Sequence, residues 1–266
     1  MGRRTRKGLA KKAKRKGTVV LSPHHAVGEA AVYSHYAALY HKLGYKVYVD
    51  PHAPLTTNPQ AYEILYLKNP YIAGQKAKEP SDIFHGVTFK ENWRDLPIAK
   101  RRVDHNPNIL KFQNFSIEDR ILRINYVPRL RPELFGTVLL DMNISNYRLE
   151  PGGRDNLGGV ADYVRKHYPR AIAVRREVYD IEARGFSCLS VADEYEHVEY
   201  STIYDYCDIV ASVDKVVCLQ TGSQLFAAVY CDRVDTLVTE KNFIPRNTAK
   251  NLVICDSHIE LIDVRP

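Results

Sequence analysis

Nothing in this 266-residue chain approaches the run of roughly 18 to 20 apolar residues that a membrane-crossing helix requires, so no such helix is expected. No apolar stretch follows the charged first residues either, and a secretory signal is therefore not expected. Cysteine is scarce: Cys188, Cys207, Cys218, Cys231 and Cys255 are odd in number and form no C-x-x-C spacing. That argues against a disulfide framework or a zinc site and makes cytosolic, cytoplasmic chemistry the expectation. Residues 1–17 contain nine Lys or Arg and no acidic residue. With so few apolar side chains this tail has nothing to bury, and it is expected to be disordered when free. Contact with nucleic acid or another anionic surface, a localisation signal and plain solubilisation are all compatible with it.

What the chain does have is 45% hydrophobic residues, enough for one large core or two small ones. The most informative stretch is Val216 to Tyr230. Val216 to Leu219 reads as a buried strand, Thr221-Gly222-Ser223 breaks it, and an Ala-rich helix begins at once. A strand that turns into a helix through Thr-Gly-Ser leaves unpaired N–H groups, two hydroxyls and partial positive charge at the helix start, a natural seat for a phosphate. The glycine permits close approach without a Cβ clash. The same residues also describe an ordinary strand-to-helix turn capped by Thr or Ser.

A second unit of this kind lies near the start. Thr18 to Ser22 is a strand candidate, Pro23 to Glu29 a loop, and Ala31, Tyr33, Ala37, Tyr40 and Leu43 fall at helical spacing. Gly44 stops the helix and Val47 to Val49 forms the next strand, completing a βαβ unit. Further on, Asn58 to Lys68 reads as a short helix starting near Pro59, Asn69 to Ile72 leads into a Lys-rich linker, and Ser81 to Phe84 is a short strand. Residues 89–131 lack clean periodicity; their Arg, Lys and aromatic side chains fit either a basic acceptor surface or solvated loops. Two prolines and a glycine interrupt the pattern over Val127 to Gly136, the best domain boundary. Beyond it, strands are expected at Thr137 to Asp141, Ala171 to Val174, Cys188 to Val191, Thr236 to Val238 and Leu252 to Ile254, with helices at Asn156 to Lys166 and Ser201 to Ser212. The expected organisation is a basic tail (1–17) and two Rossmann-like α/β domains (18–135 and 136–266) facing a cleft.

Together these segments resemble the GT-B glycosyltransferases, most closely the heptosyltransferase-like family nine. Gly28-Glu29 stands where that family has an N-terminal Gly-Asp loop, and Lys68-Asn-Pro-Tyr-Ile72 is similar to its Asn/His-Pro-Tyr segment. Tyr206 to Ala228 is similar to its helix, strand, Thr-Gly turn and Ala-Ala helix. Two positions depart: the acidic residue before Thr-Gly is Gln220 here, and a later His is Leu225. The chain is also shorter than such enzymes usually are.

The resemblance implies an inverting transfer of a sugar from a nucleotide-sugar donor to an acceptor hydroxyl. It places Glu29 as the catalytic carboxylate, with His24 and His25 as competing bases or mere surface residues. Donor binding falls to Thr221, Gly222 and Ser223, to Gln220 and Gln224 beside them, and to Arg148, with Arg154, Arg175 and Arg176 as fallbacks. Trp93, Arg94, Arg101 and Arg102 are the acceptor-side candidates. No acidic D-x-D motif is present, so neither a divalent metal nor a resident cofactor is expected. Net charge runs +9 over residues 1–17, +4 over 18–135 and −6 over 136–266. A basic acceptor half favours a polyanionic acceptor, either modified DNA, as for bacteriophage DNA glucosyltransferases, or a phosphorylated glycan. The altered Gln220 and Leu225 keep open a second reading, a nucleic-acid-binding protein on a catalytically decayed GT-B scaffold.

Overall fold

The computed structural model of the chain describes residues 17–22, 27–52, 59–85, 87–89, 102–104, 115–145, 159–176, 186–219, 221–238 and 258–264. The apolar runs read as strands form the centres of two parallel sheets. In the first sheet β1 (Thr18–Leu21) lies between β2 (Lys46–Val49) and β4 (Ile83–His85), with β3 (Ile72–Gln75) outside β2, giving the order β3-β2-β1-β4. Val19, Val20 and Leu21 are wholly buried, as a strand covered on both faces requires. A small antiparallel hairpin follows, β5 (Val87–Phe89) with β6 (Arg102–Asp104).

The second sheet has six parallel strands. They are β7 (Val138–Asp141), β9 (Ile172–Arg176), β11 (His197–Tyr200), β12 (Lys215–Leu219), β13 (Arg233–Val238) and β14 (His258–Asp263), in the order β11-β9-β7-β12-β13-β14. The chain steps outward from β7 through β9 to β11, then crosses back to β12 on the other side of β7. This is the doubly wound order, and its reversal opens a crevice at the carboxyl ends of β7 and β12. A two-stranded ribbon, β8 (Asn143–Ser145) with β10 (Phe186–Cys188), flanks it.

Helix α1 (Val27–Lys42) is longer than its sequence pattern and is not amphipathic. Ala30, Ala31, Tyr33, Ser34, His35, Tyr36, Ala37, Leu39 and Tyr40 are all buried, so the helix is covered on most sides. Its neighbours include the first sheet, the short helix α3 (Ile117–Arg120) and a π-turn at Glu63–Leu67, into which the helix begun at α2 (Pro59–Tyr62) passes. The Asn-Pro-Tyr segment has a structural task. Buried Asn69 donates to the Ser34 and Leu65 carbonyls and accepts from the Tyr71 amide, fixing the exit from the π-turn into β3.

Helices α4 (Val160–His167), α5 (Ile203–Val210) and α6 (Gly222–Tyr230) complete the second half. The larger hydrophobic cluster takes in side chains of both sheets together with α1, α5 and α6. The proline-interrupted stretch 121–135 is a fixed strap along α5. Asp208 Oδ1 accepts from the Tyr126 hydroxyl and the Arg129 amide, each at 2.8 Å, and Ser212 Oγ accepts from the Arg131 amide at 2.7 Å. Asp208→Ala leaves two donors without their buried acceptor and is expected to lower the unfolding free energy by about 2–3 kcal/mol. A shifted denaturation midpoint checks this; a loss under about 0.5 kcal/mol would show that the strap is not held there.

Three strands of the two parallel sheets escaped the sequence reading, as did β5, β6 and β8 outside them. β3 and β11 are edge strands with alternate residues exposed, so they lack a continuous apolar run. β14 (His258–Asp263) is the edge strand on the other side of the second sheet, whereas the strand expected at Leu252 to Ile254 lies outside the described residues. The strand expected at Cys188 to Val191 instead ends at Cys188 and gives way to a 3-10 turn over Ser190–Glu194. No described helix is long and apolar enough to cross a membrane.

Candidate active site

The site begins where two helix N-termini meet. Helix α6 starts directly after β12, with Thr221 in extended conformation as its N-cap. Helix α1 starts beyond the end of β1. Their first turns touch through glycine backbone: a Cβ on Gly28 would stand 2.8 Å from Gly222 Cα, and one on Gly222 would stand 3.0 Å from the Gly28 nitrogen. Only two glycines permit this approach. It sets the Glu29 backbone, the third residue of α1, beside Thr221-Gly222-Ser223 of the other half.

The start of α6 is chemically open. Helix α5 shows the alternative, with Thr202 and Asp205 closing a capping box on its first turn. In α6, Thr221 makes no side-chain cap bond and the first turn holds no acidic residue. Thr221 Oγ1 is buried and has no hydrogen-bond partner among the described residues. The N–H groups and the dipole of this helix end therefore lack the compensation that α5 receives, and the expected Thr or Ser cap is not what this turn forms.

Beneath it lies a polar cluster that the sequence reading passed over. Asp141 ends β7, opposite Cys218 of β12, and is buried. Its Oδ2 accepts from the Tyr206 hydroxyl at 2.7 Å, and its Oδ1 accepts from the Asn143 side-chain amide at 2.7 Å and backbone amide at 3.1 Å. Burial pushes the Asp141 carboxyl above its ordinary value, against the pull of these donors. Burial, and then the Asp141 charge, push the Tyr206 hydroxyl well up, so it stays a donor. A polar residue closing an apolar strand at the carboxyl edge of a parallel sheet is the signal that would have identified Asp141 in the sequence.

Of the residues expected from sequence, the structure brings together Thr221, Gly222, Ser223 and the backbone of Glu29. Gln224 turns away: it is buried, and its Nε2 donates to Thr236 Oγ1 of β13 at 2.9 Å, so that donor is not offered to the crevice. Arg175 and Arg176 end β9 on the carboxyl edge that carries Asp141; Arg175 pairs with Asp193. Leu225 lies against the Gly28 position, 3.5 Å from where a Cβ would stand. Arg102 is placed by its backbone, opposite Phe89 in the hairpin. His24, His25, Trp93, Arg94, Arg101, Arg148, Arg154 and Gln220 lie outside the described residues. Among the described residues no group of His, Cys, Asp and Glu stands together as a metal site.

Two parallel α/β sheets, each reversing its strand order, with the N-termini of α1 and α6 in contact, define the GT-B class of fold. The comparison with solved structures names it. The chain resembles a family 9 glycosyl transferase from Veillonella parvula at a TM-score of 0.54 and 11% identity, over 93% of this chain and 86% of that one. It also resembles the iron-containing dodecameric glycosyltransferase TibC of enterotoxigenic E. coli at a TM-score of 0.51 and 10% identity, over 84% of this chain. The chain spans 58% of TibC's length. No protein-family model and no curated protein matches the sequence.

Proposed function

We propose that this chain is a glycosyltransferase that moves a sugar from a nucleotide-sugar donor to an acceptor hydroxyl, with inversion and without an obligate metal. The observation that carries the reading is the contact of Gly28 with Gly222, which joins a carboxylate-bearing helix start to an uncapped, anion-attracting one. The donor diphosphate would sit on the amides and hydroxyls of Thr221 to Ser223 in the half formed by residues 136–266. The acceptor would lie against the half formed by residues 18–135, beside Glu29.

The chemistry follows from that placement. Glu29 takes the proton of the acceptor hydroxyl as its oxygen attacks the anomeric carbon. The bond from that carbon to the diphosphate oxygen breaks, and the leaving group departs with the bonding pair and its negative charge. The α6 dipole and the Thr221 hydroxyl, with Arg148 as the proposed cationic partner, stabilise that charge. A position near a helix N-terminus lowers the pKa of a carboxylate, so partial desolvation in the closed crevice is what keeps Glu29 basic enough.

Charge separation between the halves, and the basic residues 1–17, support a polyanionic acceptor with a free hydroxyl, such as hydroxymethylated phage-type DNA or a phosphorylated glycan. Trp93, Arg94, Arg101 and Arg102 are the proposed acceptor contacts, and the cytoplasm, where nucleotide sugars are made, is the proposed location. A duplex acceptor would have to present its base extrahelically. DNA binding through 6 to 10 phosphates would weaken by about 10³ to 10⁵ between 50 and 200 mM salt; a salt-independent association would remove DNA from the reading.

A thermal-shift panel of nucleotide diphosphate sugars tests the donor directly. The matching donor at about 100 times its dissociation constant is expected to stabilise the protein by about 2.7 kcal/mol. Silence across the panel, together with salt-sensitive DNA binding, would favour the binding protein on a decayed scaffold.

A further inference from the structure

The geometry points to Arg176 as a second cationic contact for the donor diphosphate and sets its neighbour Arg175 apart from that role; this rests on the donor seat proposed above. The two arginines close β9, and side chains alternate along a strand, so they leave opposite faces of the second sheet. Ile172 and Val174 pack in the cluster shared with α1, α5 and α6, whereas Ala173 belongs to the cluster on the other face. Arg176 continues the first set and Arg175 the second. Arg175 is occupied on its own side. It pairs with Asp193, in the 3-10 turn whose Val191 and Ala192 pack in the same cluster as Ala173.

Arg176 keeps its guanidinium uncommitted. It is partly buried and makes no ion pair or hydrogen bond among the described residues, although the half it belongs to carries a net charge of −6. Its register partner on β11 is Tyr200, whose ring lies 5.2 Å from that of Tyr206, and Tyr206 donates to Asp141. Arg176, Tyr200, Tyr206 and Asp141 therefore share the carboxyl end of the sheet, on the face turned toward the other half. Burial, and then the Asp141 charge, raise the Tyr200 hydroxyl, while the Arg176 charge draws it down, as a guanidinium on this face would. Strand β12, which leads into α6, lies two places from β9 across β7, about 10 Å at the usual strand spacing. An extended guanidinium and a diphosphate together bridge that span. Asp141, between them, has both oxygens taken by Tyr206 and Asn143, so it does not compete for the guanidinium. An arginine left unpaired at the edge of an anion seat is suited to fork onto phosphate oxygens.

Calorimetry on the full chain reads this. The probes are UDP, ADP, GDP and CDP, and the readout is the dissociation constant of whichever binds the wild type. Arg176→Gln is expected to weaken that probe about tenfold, the loss of one charge-assisted contact. Arg175→Gln removes the same charge one residue away, on the other face, and is expected to change binding less than about twofold, since a solvated charge without contact is screened. Arg176→Lys keeps the charge without the planar fork and is expected to lie between, about threefold weaker than wild type. Wild-type binding by Arg176→Gln would overturn the inference, and so would equal losses at the two arginines. If Arg176→Gln does not fold, Arg176→Lys and Arg175→Lys take the places of the two glutamine variants, and equal dissociation constants for them overturn it. A wild-type chain that binds none of the four probes refutes the donor seat and this inference together, whereas binding that ignores Arg176 refutes the inference alone.

Discussion

Gly28→Ala is expected to lower turnover about a hundredfold and stability by about 1–3 kcal/mol at once. The added methyl would stand 2.8 Å from Gly222 Cα, a distance at which one backbone must move. Neither backbone is a flexible side-chain end that swings aside. The shift therefore falls on the relation between the α1 and α6 starts, which is the geometry that sets Glu29 against the donor. Displacements near 1 Å cost about 10²-fold where reacting groups must be aligned. Steady-state kinetics beside a thermal melt checks both parts. Near-wild-type turnover would show that the two helix starts need not touch for catalysis.

Glu29→Gln is expected to do the reverse, removing activity while sparing the fold. Glutamine keeps the shape of the side chain and loses the base, so turnover should fall by about 10² to 10⁴. Donor binding and melting temperature should stay close to wild type, because the diphosphate seat belongs to Thr221 to Ser223. Retained turnover in this variant would move the base elsewhere, with His24 and His25 as the sequence neighbours to examine.

The parts of the fold legible in the sequence were those where burial is two-sided. Val19 to Leu21 and Val216 to Leu219 are continuous apolar runs because both faces of a central parallel strand are covered, and each declared itself. The strands at the sheet edges did not, since His197-Val-Glu-Tyr200 shows every second residue to solvent and reads as loop. The site was legible in the same partial way. Thr221-Gly222-Ser223 suggested an anion seat by turn chemistry alone, and the resemblance to the heptosyltransferase-like family was read from three short segments, while the solved structures of similar fold are only 10–11% identical to the chain. The contact of Gly28 with Gly222 was hidden because it joins residues far apart in the chain, and no local pattern records it. Asp141 was hidden for a different reason: a lone acid after Val138 to Leu140 looks like the end of a strand, and only the sheet order reveals that this end borders the crevice.

The most direct measurement is an amide chemical-shift titration of the intact chain with the nucleoside diphosphate that binds it. The account predicts that Gly222 and Ser223 shift together with Gly28 and Glu29, along one binding curve with one dissociation constant. Shifts that spare both helix starts, or that reach α6 while leaving Gly28 and Glu29 unmoved, would contradict a single crevice shared by the two halves.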